Sequence, residues 1–91
     1  MMDVQTIALE FNLSEQELVQ ESLRAFLLDR LQLLDSERRA RCAKFSVTSL
    51  EEMDDVLKTG RVEEEDILED FQYVDYLTAQ IQRIRQLLEE I

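Results

Sequence analysis

Val74-Asp75-Tyr76-Leu77-Thr78-Ala79-Gln80-Ile81-Gln82-Arg83-Ile84-Arg85-Gln86-Leu87-Leu88-Glu89-Glu90-Ile91 places Val74, Leu77, Ile81, Ile84, Leu88 and Ile91 at spacings of 3, 4, 3, 4 and 3. That alternation gathers the apolar side chains on one edge of an α-helix and reads as a heptad seam. Ile67, Leu68, Phe71 and Tyr76 widen the stripe upstream, and the spacing predicts a helix over about 65–91. A seam of this kind needs a partner helix, in the same chain or in a second copy.

The same chain supplies a second long helix. Ser14-Glu15-Gln16-Glu17 fits a capping box, in which the Ser14 hydroxyl accepts from the Glu17 amide and the Glu17 carboxylate accepts from the Ser14 amide. Leu13 and Leu18 are spaced for a hydrophobic staple across it. From Glu15 no Gly or Pro intervenes until Gly60, so a helix is predicted over about 15–44, with Leu23, Phe26, Leu27, Leu31 and Leu34 as its apolar positions. Ser36-Glu37-Arg38-Arg39-Ala40-Arg41 is polar on nearly all sides, and a bend or fraying is expected there.

Two short helices complete the pattern. Val4, Ile7, Ala8 and Phe11 share a face and predict a helix over about 4–11, stopped at Asn12, which tolerates the left-handed conformation. Ser46-Val47-Thr48-Ser49 favours an extended link and then a cap. Thr48 with Glu51 and Ser49 with Glu52 both make capping boxes, and Ser49 is favoured. Leu50, Met53, Val56 and Leu57 then form the stripe of a helix over about 50–58, with Gly60 as its left-handed stop.

The expected fold is therefore all-α, a single helical domain over residues 1–91. Its two long helices fold back antiparallel into a hairpin that leaves one apolar side open, and dimerisation through the Val74–Ile91 seam would close a four-helix arrangement.

Composition limits the chemistry. The 91 residues hold no Pro, one Gly and no His, with 21 acidic and 10 basic residues and a net charge of −11. Without His there is no Ser-His triad, and no Glu-x-x-His pair for a di-iron bundle. One glycine cannot build a phosphate-cradling loop. No enzyme activity, cofactor or metal is expected. The negative charge disfavours nucleic acid and anionic membranes as direct ligands. No apolar run is long enough to span a bilayer, and the opening Met1-Met2-Asp3 does not begin a signal peptide. The lone Cys42 suits a reducing compartment and a half-buried helix face. A cytoplasmic location is the resulting expectation.

Charge is concentrated between Glu51 and Asp75, where 11 acidic residues face only Lys58 and Arg61. Glu63, Glu64, Glu65, Asp66, Glu69 and Asp70 form its centre. This belt reads either as a solvated face or as a docking surface for a basic partner. Tyr73 lies about 200° around the helix from Phe71 and is expected to point outward. With Tyr76 it is a candidate interface anchor, or a plainly exposed aromatic. Arg38, Arg39, Arg41 and Lys44 suit the C-terminus of the long helix, or an intersubunit salt bridge to the belt.

Three stretches carry a family resemblance: Leu13–Leu27, Lys44-Phe45-Ser46-Val47-Thr48-Ser49-Leu50-Glu51-Glu52-Met53 through Gly60, and Glu69-Asp70-Phe71-Gln72-Tyr73-Val74-Asp75-Tyr76-Leu77. In that order the chain resembles the small helical antitoxin-like proteins of prokaryotic toxin–antitoxin pairs. Phe45-Ser46 stands where that family usually has Tyr-Gly, and Leu68 where it has Trp. The resemblance implies a protein that neutralises a cognate toxin by binding it, with Glu69 to Tyr76 and the acidic elbow as candidate contacts. A self-associating coiled-coil scaffold or assembly factor is the alternative that the seam alone supports.

Overall fold

The structure, a computed structural model, describes residues 2–91. Four helices follow one another: α1 Val4–Glu10, α2 Glu15–Ala43, α3 Leu50–Thr59 and α4 Glu64–Glu90. No strand occurs among the described residues. The all-α expectation holds, with every helix end within one residue of its sequence-based position.

Local chemistry starts each helix. The Asp3 carboxylate accepts from the Thr6 amide at 2.9 Å and caps α1. Ser14 and Glu17 form the reciprocal box at 3.0 and 3.3 Å. Ser49 accepts from the Glu52 amide at 3.1 Å, while the Glu52 carboxylate turns back to the Thr48 amide at 2.8 Å. α4 has no side-chain cap, and its first turn holds Glu64, Glu65 and Asp66 against the helix dipole.

Left-handed residues stop the first three helices: Asn12 at φ 58°, Ser46 at φ 58° and Gly60 at φ 70°. At Ser46 the Val47 amide donates to the Cys42 carbonyl at 3.2 Å and the Ser46 amide to Ala43 at 3.1 Å, the bond pair of a Schellman motif. Val47 and Cys42 are also buried together. The Leu13 and Asn12 amides repeat the pattern onto Ala8 and Leu9. Ser46 therefore ends a helix rather than starting an extended link.

α2 and α4 run antiparallel. The pairs Arg41–Asp70, Glu37–Tyr73 and Arg24–Ile91 mark successive levels of the hairpin. The densest core lies at the elbow, where Cys42, Val47, Met53, Val56, Ile67 and Val74 pack with Phe45, Leu50, Leu57, Val62 and Phe71 around them. Two arginines tie the elbow. Arg38 donates to the Thr48 carbonyl at 2.9 Å and Arg61 to the Phe45 carbonyl at 3.1 Å.

Several sequence expectations are corrected. α2 runs unbroken through residues 36–41, because Glu37, Arg38 and Arg41 are half-buried with partnered heads and are not wet on all sides. Val74, Leu77, Ile81 and Ile84 are buried within one chain, and Leu88 and Ile91 are half-buried. The seam expected to join two copies is thus α4's share of the intrachain core. Leu68 and Tyr76 lie outside it, exposed. So do Phe11 of the α1 face and Leu23 and Phe26 of α2.

Candidate functional site

Where α2 meets the start of α4, charge and aromatic groups interlock. Asp70 is only 5 % exposed. Its carboxylate accepts from the Arg41 guanidinium at 2.7 Å and the Lys44 ammonium at 2.9 Å. Burial raises the Asp70 carboxyl, but the hydrogen bonds from Lys44 and Arg41, with their charges, outweigh it and hold the group below its ordinary value. The Arg41 guanidinium is raised in turn, first by its bond to Asp70. It also lies 4.5 Å from the centroid of the Tyr73 ring. The Tyr73 hydroxyl donates to Glu37 at 2.6 Å, and that bond leads the rise in its own pKa. Tyr76 stacks on Tyr73 with centroids 6.2 Å apart.

This geometry revises two candidate contacts. Asp70 is a buried brace between the long helices, not a free surface charge, because two cations of α2 have already claimed it. Tyr73 turns onto α2, not outward, because Arg41 and Glu37 offer its ring face and hydroxyl partners there. The cations also pair within the chain: Arg38 and Arg39 with Asp35, and Arg41 and Lys44 with Asp70. The remaining candidates, Glu63, Glu64, Glu65, Asp66, Glu69 and Tyr76, are all exposed. Glu51 and Asp55 of α3 are exposed as well, but Glu51 shares a hollow with Arg38 and Arg85, and Asp55 one with Arg61. Lys58 pairs with Asp54 along α3 at 2.8 Å. No group of three or more His, Cys, Asp or Glu side chains is arranged to hold a metal among the described residues.

A second surface was not read from the sequence. Val19, Leu23, Phe26 and Leu33 are exposed along one face of α2. Phe26, Leu27, Arg30, Leu34, Tyr76, Gln80 and Ile84 line a groove on the open side of the hairpin. Arg30 lies 5.7 Å from the Phe26 ring centroid. The signal was present: Val19, Leu23, Phe26, Arg30 and Leu33 are spaced 4, 3, 4 and 3. Leu27, Leu31 and Leu34, which are half-buried, lie beside this face, and the two stripes blur into one broad apolar stripe.

These features define an all-helical hairpin with an acidic elbow and an open apolar side. The chain belongs to the family described as the Uncharacterized protein MJ0235 family, whose profile matches residues 1–91. A relative from Methanocaldococcus jannaschii, described as Uncharacterized protein MJ0235, is 28 % identical over 76 residues, covering 84 % of this chain and 93 % of the relative. No solved structure matches the chain. Among the described residues, no helix is long and apolar enough to cross a membrane.

Proposed function

We propose that this chain works by binding another protein, as an antitoxin-like module that holds a basic, toxin-like partner in the cytoplasm without catalysing a reaction. The observation that carries the reading is the unneutralised carboxylate surface of the elbow. Glu63, Glu64, Glu65, Asp66 and Glu69 stand exposed there with no cation at ion-pair distance among the described residues. A basic partner would supply the missing charge, speeding encounter and strengthening the complex at low salt. The braced Asp70 and Tyr73 support the same reading differently, since they hold the first turns of α4 rigid, and a rigid surface loses less entropy on binding.

The test is affinity capture from the native host, with identification of what is retained. One predominant small basic protein is expected, released as salt rises through about 0.5 M, where exposed charges are screened beyond a few ångströms. The triple variant Glu64→Gln/Glu65→Gln/Glu69→Gln should bind that protein more weakly, mainly through slower association. An acidic or neutral partner, or a complex indifferent to both salt and the substitutions, would contradict the proposal.

A further inference from the structure

α2 carries two seams. Leu27, Leu31 and Leu34 turn toward α4 and are half-buried. Val19, Leu23, Phe26, Arg30 and Leu33 form the other, all exposed, centred about 90° away around the helix. A helix in a two-helix hairpin needs one seam. A helix in a four-helix bundle needs two, because it packs against two neighbours about a right angle apart.

The chain alone leaves much surface uncovered. Its extents are 59 × 25 × 17 Å and its accessible surface is 6943 Å². A compact monomer of this mass would expose about 5,500 Å². With Phe26 58 % and Tyr76 56 % exposed, the outer seam and Tyr76 offer on the order of 500 Å² of side-chain surface, the apolar centre of a standard interface of roughly 800 Å² per partner.

The second seam and the uncovered area suit another copy of the same helix, and charge selects its direction. The acidic elbow lies at one end of the hairpin, so a parallel pair would set two such elbows side by side. An antiparallel pair separates them by much of the 59 Å length, several Debye lengths at physiological salt. The two helix dipoles then oppose each other favourably.

We propose that a second copy of this chain packs antiparallel along the outer face of α2, with Phe26 close to the two-fold axis, closing a four-helix arrangement. Arg30, the one charged residue in the apolar run, fixes the register of the pair. This goes beyond the elbow reading and does not rest on it, because that reading rests on the carboxylates of residues 63–69 and the pairing on the outer face of α2, with Tyr76 at the border.

Light scattering after size exclusion tests it. The wild-type chain at micromolar concentration should have twice the 10.8 kDa chain mass. Phe26→Glu should raise the dimer dissociation constant on the order of 100-fold and leave a helical single chain. Leu28→Glu, on the opposite side of α2, should remain paired. A wild-type single chain, or a dimer that survives Phe26→Glu and falls apart with Leu28→Glu, would overturn the proposal. Should Phe26→Glu fail to fold, crosslinking decides. Phe26→Cys, beside the two-fold axis, should join two chains through a short thiol crosslinker and Leu28→Cys should not, with Cys42 buried in both; the reverse pattern overturns the pairing. The Glu64→Gln/Glu65→Gln/Glu69→Gln chain should still pair, which separates this result from that of the elbow reading.

Discussion

Asn12, Ser46 and Gly60 stop three helices with the same left-handed twist, yet they were not equally legible. Asn and Gly are the residues that enter that region cheaply, so Asn12 and Gly60 could be read from the sequence. Ser46 could not, because a serine followed by Val47 and Thr48 has the composition of an extended link. The reason it holds is tertiary: Val47 is driven into the core beside Cys42, and that closes the Schellman bonds. Ser46→Gly should therefore stabilise the chain by about 0.5–1 kcal/mol by relieving the backbone, checked by denaturant midpoint. Asp70 was legible as an acid but not as a brace, since its partners lie 26 and 29 residues away. Asp70→Asn should destabilise by about 1–2 kcal/mol. The loss stays moderate because Arg41 and Lys44 are partly exposed and regain water. Its folded pKa lies below the ordinary 3.8. The carboxylate's contribution is thus complete above that value and lost as pH falls through the lower folded one. The gap between wild type and Asp70→Asn should be constant from about pH 5 to 7 and shrink below about pH 4, measured by urea unfolding.

At the scale of elements, caps and periodicity determine where helices begin and end, and both are local. All four helices could therefore be located from the sequence, and the Ser14–Glu17 box appears in the structure as the spacing required. The pairing of faces is not local. The 3-4 spacing of α4 is equally consistent with a partner helix in the same chain or in another, and only the hairpin assigns Val74, Leu77, Ile81 and Ile84 to the interior. The outer seam of α2 was hidden for the opposite reason, because two adjacent stripes on one helix blur into a single broad one. Burial separates their energetics. Leu77→Ala, in the fully buried seam, should cost about 2–4 kcal/mol. Leu28→Ala, exposed on the far side of α2, should change stability by less than about 0.5 kcal/mol. Thermal or denaturant unfolding of the two variants checks the assignment, and equal losses would mean that the hairpin packs through a different face.

For the whole molecule, shape and charge act together. The radius of gyration is 19.0 Å, against about 12 Å for a compact chain of this length. The rod keeps most of its 21 carboxylates wet, and the net charge of −11 repels itself chiefly at the elbow. Raising salt from about 0.02 to 0.3 M should therefore raise the melting temperature, by screening that repulsion; a fall would mean that the surface ion pairs dominate. Net charge and helical class were legible because they are sums over the chain. Elongation was not, because it depends on how little of α2 the other helices cover. The molecule is a rod with a packed elbow and an open apolar side, and small-angle X-ray scattering over a concentration series tests that shape and its pairing together. The expected result is a forward scattering that tends to two chains as concentration rises, with a maximum dimension little beyond the 59 Å of one chain. A single-chain mass throughout, with a radius of gyration near 12 Å, would contradict it.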